Sequence, residues 1–181
     1  MSDLKSPIWR NILSSSIKKE GRTSSSRWIQ IATISKNLQP NLRTVVFRGW
    51  GKDDSMLIYT DNRTQKMKDL NTNNNVEILW LFFKSKSQYR FKGKVHEIKE
   101  NNNYWINLSN ESKSTWFWPA PGEKVVERSN INIPFNLYKP NNFTVLEVNI
   151  YQVDLLVLEQ PIHKRYCWEK NNEWEYKEIN P

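Results

Sequence analysis

The first part of the chain has the apolar spacing of a helix. Ser6 suits the N-cap, Pro7 suits the first helical position and Gly21 suits the C-terminal end. Between them, apolar residues recur every three or four positions, at Ile8, Ile12, Leu13 and Ile17. This spacing puts them on one face and predicts an amphipathic helix. Residues 22–26 are polar and predict a loop, because a strand pattern begins directly after them.

After this loop the apolar residues change to a period of two, which is typical of β-strands. Residues 28–34 and 42–50 predict a hairpin with its turn at 36–40, and residues 55–60 predict a third strand. Further strands are expected at residues 76–83, 88–96, 143–150, 152–159 and 163–168, with a short one around Trp174. The run VEILWLFF (76–83) is apolar on both faces and therefore predicts a fully buried central strand.

Few helices separate these strands. Residues 65–70 are good helix formers, and residues 101–114 predict another helix. Many antiparallel strands with few short helices indicate a mainly β protein, a barrel or a sandwich, in a single domain over residues 1–181. Nine Trp, seven Tyr and seven Phe residues supply a large core despite the polar average composition.

Composition and charge narrow the function classes. The single Cys167 excludes a disulfide framework and a cysteine-rich zinc site, and its apolar neighbours predict a small core residue. The N-terminal MSDLKSPIW lacks the apolar run of a signal peptide, and no stretch is apolar enough to cross a membrane. The sequence therefore predicts a cytoplasmic protein without a membrane partner.

The net charge of +8 raises the question of nucleic acid. Lys and Arg are spread along the whole chain, without an RNP-like motif or a dense basic helix. This distribution favours a solvated charged surface, together with a few cations that bind a small anionic ligand. We therefore expect no nucleic-acid partner.

The sequence carries no classical catalytic machinery. It has no P-loop, no dinucleotide fingerprint, no GxSxG elbow and no His/Cys cluster with metal-ligand spacing. His96 and His163 both fall in predicted strands, where a lone histidine is usually structural. Any catalysis must therefore depend on a cofactor, and no metal site is predicted.

The segment YTDNRTQKMKDL (59–70) supplies a candidate anion site. Thr60, Asp61 and Asn62 are N-cap residue types, so a helix is expected to begin here. The first turn of a helix usually gathers acidic residues, yet this one offers Arg63 and Lys66. Backbone amides, threonine hydroxyls and these two cations together predict a phosphate cradle.

The upstream segment RTVVFRG adds two more cations, Arg43 and Arg48. Strict alternation places their side chains on opposite faces of the strand. Both can reach one ligand only if the strand bulges or lies at an edge. For any single cation, an unspecific surface charge remains the alternative.

The ordered series RTVVFRG, YTDNRTQKMKDL, VEILWLFF and QYRFKG resembles the FMN-binding split barrel of the pyridoxamine 5'-phosphate oxidase family. FWPAPGE (117–123) and the Pro-Ile-Trp of the first helix are more similar to its Alr4036-type branch. The resemblance covers nearly the whole chain. It implies antiparallel, Greek-key-like strands and FMN as the cofactor, with its phosphate in the cradle. It also implies a homodimer with FMN at the interface, so that both chains complete each site.

The resemblance also implies roles for individual residues. The FMN-binding positions correspond to Arg43, Thr44, Val45, Val46, Arg48, Tyr59, Thr60, Arg63, Lys66, Gln88 and Arg165. Arg48 stands where the oxidase has a lysine, and Arg48 and His163 also correspond to substrate-binding positions. Arg63 fits the DxR[ST]xK form of the branch.

The departures from the oxidase concern mainly the substrate. Pro161 stands where the oxidase has a substrate-phosphate arginine, and Leu156 stands near the place of a flavin-contacting tryptophan. The oxidase's Tyr, Arg and Ser have no convincing equivalents in residues 104–114. We therefore expect an FMN-dependent oxidoreductase with a small-molecule substrate that the sequence does not name. Pyridoxine and pyridoxamine phosphates are expected to be poor substrates, because proline offers no donor.

Two other functions stay open on the sequence. The protein could be a non-catalytic flavin carrier or sensor, or a basic nucleic-acid-binding barrel without a cofactor. The aromatic content bears on assembly, because five tryptophans lie outside the clearest alternating segments: Trp9, Trp50, Trp105, Trp116 and Trp118. Some of them are expected in a permanent dimer interface. The alternative is that these rings pack beneath the helices of one chain.

Overall fold

The computed structural model of the protein describes residues 6–125, 127 and 131–181. Residues 1–5, the first part of MSDLKSPIW, lie outside the described residues. The helices are α1 Ile8–Glu20, α2 Gln65–Thr72, α3 Asn102–Ile106 and α4 Asn110–Ser114. The strands are β1 Trp28–Ile34, β2 Pro40–Trp50, β3 Met56–Asp61, β4 Asn75–Phe82, β5 Ser87–Ile98, β6 Phe143–Val157, β7 Lys164–Glu169 and β8 Tyr176–Ile179.

The strands form one antiparallel sheet in the order β3-β2-β1-β4-β5-β6-β7-β8, and β3 also pairs with β6. That additional pairing closes six strands into a barrel, with β7 and β8 as an extension. The long strand β6 makes this possible: its first half pairs with β3 and its second half with β7, while β5 lies along its other edge. The structure thus confirms a mainly β split barrel with an N-terminal helix.

The barrel interior is filled by the inward residues of alternate positions and by one face of α1. Ile29, Ile78 and Phe91 are fully buried, as is Trp9 of α1. The buried face of α1 consists of Trp9, Leu13 and Ser16, whose hydroxyl lies 2.8 Å from the Tyr89 hydroxyl. The large indole takes the central position because burying it removes more apolar surface from water than an isoleucine can.

This arrangement corrects the predicted face and start of α1. Ile8 and Ile12 were expected to face the core but are 58% and 37% exposed. The helix begins at Ile8 with Pro7 in the N-cap position, so Ser6 does not cap it. Gly21 is the C-cap, as expected.

The prediction that residues 76–83 are buried on both faces was wrong. Val76, Ile78, Trp80 and Phe82 point inward and are buried, whereas Phe83, just after the strand, is 76% exposed. On the outer face, Leu81 is 38% exposed. The segment is central in the sheet, but within one chain nothing in the described residues fully covers its outer face.

Strand β6 was expected as two strands with a break at Tyr151. It is continuous, and its register with β5 shifts between the pairs Gly93–Ile150 and Lys92–Gln152. Tyr151 is therefore the extra residue of a β-bulge. Gly93 permits the close approach here, since a Cβ at this position would lie 3.0 Å from the Asn149 carbonyl oxygen.

Other boundaries also differ from the sequence-based expectation. Residues 101–114 form two short helices, because the Ser109 hydroxyl accepts a hydrogen bond from the Ser112 amide and begins a new helix. His163 precedes β7, and the last strand lies after Trp174. The helices in the described ranges are too short and too polar to span a membrane.

The burial of individual aromatic and sulfur-containing side chains was also partly mispredicted. Trp9 and Trp105 are buried inside the chain, so they cannot serve an interface, whereas Trp28 is 51% and Trp118 54% exposed. Cys167 is only partly buried, on the side of the sheet where the Gln152 amide nitrogen lies 3.6 Å from its sulfur, and is not a core residue.

Candidate functional site

A groove of about 500 Å³ lies outside the barrel, over β2 and β3. It is lined by residues 44–46 and 48 of β2, 59–61 of β3, 63, 64 and 66 at the start of α2, and 115, 116, 118, 119 and 121. Most of the sequence-predicted cofactor residues come together here: Thr44, Val45, Val46, Arg48, Tyr59, Thr60, Arg63 and Lys66.

A β-bulge in β2 turns Arg48 into this groove. Phe47 pairs with Ile58 and Gly49 pairs with Leu57, so Arg48 is the extra residue between them. Gly49 has a φ of 143°, in a region that favours glycine. The Arg48 guanidinium carbon lies 5.4 Å from the centre of the Tyr59 ring. The bulge thus gives this end of the groove a cation.

Lys66 provides the cation at the other end of the groove. Its ammonium donates to the hydroxyls of Thr60, at 2.7 Å, and Thr64, at 3.2 Å. Thr64 is the N-cap of α2, but its hydroxyl donates to the Asp61 carbonyl and leaves the first turn without a side-chain cap. Helix amides, the Thr60 hydroxyl and one ammonium therefore surround a place suited to a phosphate, while the Thr64 hydroxyl orients the ammonium.

The electrostatics of Lys66 match that role. Burial, and after it the nearby charge of Arg43, lowers the pKa of Lys66 to about 8. No carboxylate pairs with this ammonium within the described part of the chain. A bound dianion would raise the pKa of Lys66 again, so above about pH 8 the site would take up an anion and a proton together.

Arg63, by contrast, is already paired. Its guanidinium makes a two-pronged contact with Asp61, at 2.6 and 3.0 Å, and donates to the Trp118 carbonyl at 3.0 Å. Burial acts to raise the pKa of Asp61, but hydrogen bonds from Arg63 and Asn142 outweigh it and hold that pKa below its usual value. Arg63 therefore borders the groove with most of its charge balanced.

Arg43 does not line the groove. Its guanidinium donates to the Thr33 hydroxyl at 2.6 Å and lies 3.4 Å from the carboxylate of Asp69, which is almost fully buried on the inner side of α2. Asp69 also accepts hydrogen bonds from Thr33, Asn41 and Gln65. This network fixes α2 against strands β1 and β2. Arg43 therefore acts on the groove indirectly, by positioning α2 and through the effect of its charge on the pKa of Lys66.

The segment 115–121 forms a wall of the groove that the sequence analysis did not assign. The Trp116 ring packs against Phe143, with ring centres 4.9 Å apart. The Asn142 amide donates to both the Trp116 carbonyl and the Asp61 carboxylate. The motif FWPAPGE was the available signal, since its tryptophan and prolines are unusual in a polar loop.

Gln88, Arg165 and His163 lie elsewhere on the chain. Gln88 of β5 and Arg165 of β7 both pair with Leu156 of β6, so they stand in one row across three strands. Arg165 makes a two-pronged contact with Asp154, at 2.9 and 3.0 Å, which raises the pKa of the guanidinium. His163 is exposed before β7. None of these three side chains lines the groove of its own chain.

Comparison with known proteins identifies the family of the chain. The family model for the pyridoxamine 5'-phosphate oxidase FMN-binding domain matches residues 6–99, more than half of the chain. The chain belongs to this family. Membership makes it an FMN-binding protein, with FMN as its cofactor.

A curated relative from the pyridoxamine 5'-phosphate oxidase family is also similar in sequence. Pyridoxine/pyridoxamine 5'-phosphate oxidase 2 of Arabidopsis thaliana is 34% identical over 110 residues, or 60% of this chain and 55% of that protein. The chain thus matches about half the length of this curated relative.

Two solved structures share the fold. A pyridoxamine 5'-phosphate oxidase-related FMN-binding protein from Nostoc punctiforme PCC 73102 superposes with a TM-score of 0.85 at 26% identity, covering 96% of this chain and 98% of that one. PhzG from Burkholderia lata 383 gives 0.82 at 15% identity, covering 99% and 95%.

Proposed function

We propose that the groove over β2 and β3 holds FMN and that the protein oxidises a small-molecule substrate. The observation that carries this proposal is the Lys66 end of the groove. An ammonium without a carboxylate partner in the described chain stands there with two hydroxyls and an uncapped helix start. This donor set fits the phosphate group that distinguishes FMN from riboflavin.

The other residues in and beside the groove have distinct roles in this proposal. Residues 44–46 and Tyr59 hold the flavin ring, while Arg43 and Arg63 support the phosphate end from beside it. Bound FMN supplies a hydride acceptor at N5. Arg48 supplies positive charge at the far end, where burial and then the charge of Arg27 lower its pKa.

We further propose that a second copy of the chain completes each site. Gln88 and Arg165 correspond to flavin-side positions, yet they lie away from the groove of their own chain. The outer face of β1, β2 and β4 carries apolar side chains that one chain leaves uncovered: Trp28 is 51%, Leu42 69% and Leu81 38% exposed. An apolar sheet face of this kind is typical of a permanent interface.

Sedimentation at micromolar concentration tests the shared site. A dimer is expected, and Trp28→Arg should shift it toward monomer and weaken FMN binding together. Lys36→Arg, a conservative change in the exposed turn between β1 and β2, is the control. A monomer that still binds FMN tightly would contradict the two-chain site.

The substrate differs from pyridoxine phosphate in this proposal. The Arabidopsis relative is named for pyridoxine and pyridoxamine phosphates, but Pro161 replaces the arginine that serves the substrate phosphate in the family. Proline provides neither a side-chain donor nor a backbone N–H. An assay of pyridoxal phosphate formation by FMN-saturated protein decides this point, and turnover with micromolar Michaelis constants would contradict it.

A flavin carrier or sensor is the second candidate function. It is favoured by the groove lining, in which Asp61 is the only carboxylate among the described residues and is already paired with Arg63. No free general base therefore faces this groove within one described chain. Stopped-flow mixing with candidate reductants separates the two functions, because an oxidoreductase loses its flavin colour at a catalytic rate and a carrier does not.

The decisive experiment for both functions is the identity of the bound ligand. The purified protein should be yellow, and denaturation should release FMN, identified by its fluorescence and mass. A colourless protein whose spectrum and fluorescence do not respond to added FMN would contradict the proposed function.

A further inference from the structure

A single asparagine, Asn142, joins the two sides of the groove at its α2 end. Its side-chain amide donates at 2.8 Å to the Asp61 carboxylate, where β3 ends, and at 2.9 Å to the Trp116 carbonyl in the wall of residues 115–121. A side-chain amide has two hydrogens, so each of these acceptors can have its own. Asn142 therefore ties the wall to a strand that lies beneath the groove.

The main chain fixes Asn142 to the β3 side of this connection. The Asn62 amide donates to the Asn142 carbonyl at 2.9 Å, and the Asn62 side chain donates to the Asn141 carbonyl at 2.8 Å. The next residue, Phe143, begins β6 and pairs with Asp61. Because its own position is held in this way, the Asn142 side chain can hold the wall.

The wall has few polar attachments to the rest of the molecule. Among the described residues, two hydrogen bonds join residues 116–121 to segments that are distant in the sequence. Asn142 donates to the Trp116 carbonyl, and Arg63 donates to the Trp118 carbonyl at 3.0 Å. These two hydrogen bonds form a latch between the wall and the rest of the groove.

The two halves of the wall are packed differently. The Phe117 ring packs against Tyr138, with ring centres 5.3 Å apart, whereas the Trp118 indole is 54% exposed. Pro119 and Pro121 follow it and have no main-chain N–H with which to add hydrogen bonds. The half from Trp118 onward therefore depends on the latch, and it can open without unpacking the barrel core.

Asp61 connects the two hydrogen bonds of the latch. Its carboxylate accepts from Asn142 and also makes the two-pronged contact with Arg63, which holds the Trp118 carbonyl. A carboxylate is unfavourable beside a phosphate site, because two negative charges repel each other. Its presence in the groove lining therefore needs a physical reason. Holding Arg63 and Asn142 in the latch is such a reason.

We propose that Asn142 is a positioning residue of the cofactor site, which keeps the wall closed over the groove and thereby sets the rate at which FMN enters and leaves. This inference rests on the proposed function, since it concerns the groove that is proposed to hold FMN. Asn142 does not line the groove itself. It acts through Asp61 and through the main chain of the wall.

The first test measures the rates of FMN binding. Dissociation is followed after FMN-loaded protein is mixed with an excess of a second FMN-binding apoprotein, and association is followed by quenching of flavin fluorescence. Asn142→Ala should raise the dissociation rate about tenfold, as expected for the loss of a hydrogen bond to a charged group. The association rate should stay the same or rise, because an open wall leaves the entrance free. Asn141→Ala, at the exposed neighbouring asparagine, is the matched control and should change neither rate.

Asn142→Asp adds a pH profile that a merely structural role would not produce. At pH 8 the introduced carboxyl is charged and repels Asp61, so FMN should leave at least as fast as from Asn142→Ala. Two carboxyls this close share a proton at lower pH, and that proton restores a hydrogen bond between them. The dissociation rate relative to Asn142→Ala should therefore fall toward the wild-type ratio between about pH 8 and 5. Arg63, Lys66, Glu123 and the FMN phosphate are common to both variants, so their charges do not affect this ratio.

Hydrogen exchange of the wall gives a readout that needs no cofactor. In FMN-free protein, the peptide that contains residues 115–121 should exchange faster in Asn142→Ala than in the wild type or Asn141→Ala, because the wall opens more often. Circular dichroism checks that each variant is folded. If Asn142→Ala does not fold, Asn142→Ser, which keeps one donor, should show intermediate exchange and an intermediate dissociation rate.

The outcomes separate this inference from the proposed function. If the wild type binds no FMN, the proposed function fails, and hydrogen exchange of residues 115–121 alone decides whether Asn142 holds the wall. In a protein that binds FMN, unchanged dissociation rates in both Asn142→Ala and Asn142→Asp would overturn the inference. Slower association in Asn142→Ala would also overturn it, as would an equal effect of Asn141→Ala.

Discussion

The two ends of the groove hold their cations in opposite states. At the α2 end, Arg43 and Arg63 are each held by an aspartate, and Lys66 alone lacks a carboxylate partner in the described chain. At the other end, Arg48 has no carboxylate partner in the described chain, and the charge of Arg27 adds to burial in lowering its pKa. The number of basic residues in a motif is therefore a poor guide to the charge that a ligand meets. What matters is which cations already have a partner.

The largest expected effect follows from Lys66. Lys66→Ala should weaken FMN roughly tenfold to a hundredfold, since a hydrogen bond to a charged group contributes about 1.5–3 kcal/mol. Riboflavin, which lacks the phosphate, should lose little affinity. Quenching of flavin fluorescence measures both constants. Lys68→Ala, an exposed lysine on the same helix, is the matched control.

Equal losses of FMN affinity and riboflavin affinity in Lys66→Ala would contradict this comparison of the two ends of the groove. They would mean that Lys66 supports the groove without contacting the phosphate. The cofactor phosphate would then have to bind at a different place, and the paired state of Arg43 and Arg63 would no longer matter.

The pH dependence of FMN binding should be the next largest effect. The pKa of Lys66 without an anion is about 8, so above that pH the ammonium loses its proton and the dianion loses its partner. FMN affinity should fall by up to about tenfold between pH 8 and 9, with one proton taken up on binding. Riboflavin binding and the Lys66→Gln variant should show no such fall over this range.

The pH dependence of folding stability has the opposite direction to that of FMN affinity. Because the pKa of Lys66 is lower in the folded protein than its ordinary value of 10.5, the unfolded chain binds more protons between about pH 8 and 10.5. Lys66 alone should therefore make the FMN-free protein more stable as the pH rises through this window. Chemical denaturation of the wild type and Lys66→Gln measures the difference, and a fall in stability specific to the wild type would contradict the lowered pKa.

A smaller effect is expected from the Arg63–Asp61 pair. Removing both charges together, with Asp61→Asn and Arg63→Gln in one protein, should weaken FMN and riboflavin by similar factors of a few-fold, in line with the modest worth of a partly exposed pair. The loss comes from loosening the Trp118 wall, which Arg63 holds at 3.0 Å. The ratio of the two affinities should stay near that of the wild type.

The affinity ratio separates this interpretation from the family expectation that Arg63 contacts the phosphate. If Arg63 binds phosphate directly, the double variant should lose its preference for FMN by about tenfold or more. That result would mean that Arg63, although paired with Asp61 in the structure, is available to bind the ligand. It would also show that its contact with Asp61 gives way when the cofactor binds.

The parts of the site that the sequence could predict are local ones. Alternation predicted the two groove strands, β2 and β3, to within two residues, and the good helix formers from Gln65 onward marked α2. The expected N-cap residues were wrong: Thr60 and Asp61 belong to β3, and the N-cap is Thr64. Which cations have a carboxylate or carbonyl partner could not be predicted, because the partners are distant in the sequence. Asn142 reaches Asp61 from 81 residues away, and Trp118 reaches Arg63 from 55 residues away.

The mispredictions have related causes. Periodicity shows that one face of α1 is apolar, but it does not show which apolar residues are buried. Trp9 is fully buried in the core, and Ile8 and Ile12 are partly exposed. VEILWLFF (76–83) looked buried on both sides because Leu81 and Phe83 are apolar, yet these two side chains are 38% and 76% exposed. The roles of Gln88, Arg165 and His163 remain predictions, because they depend on a proposed second chain.

The smallest expected effect concerns Trp118 itself. Its indole is 54% exposed and lines the groove, while its main-chain carbonyl accepts the hydrogen bond from Arg63. Trp118→Ala should therefore weaken FMN and riboflavin equally and only a few-fold, because a half-exposed ring buries a limited apolar area. Trp118→Phe should recover much of the loss, since it keeps an aromatic surface. A loss confined to FMN would show that the indole acts on the phosphate end, where the structure leaves Lys66 as the unpaired cation.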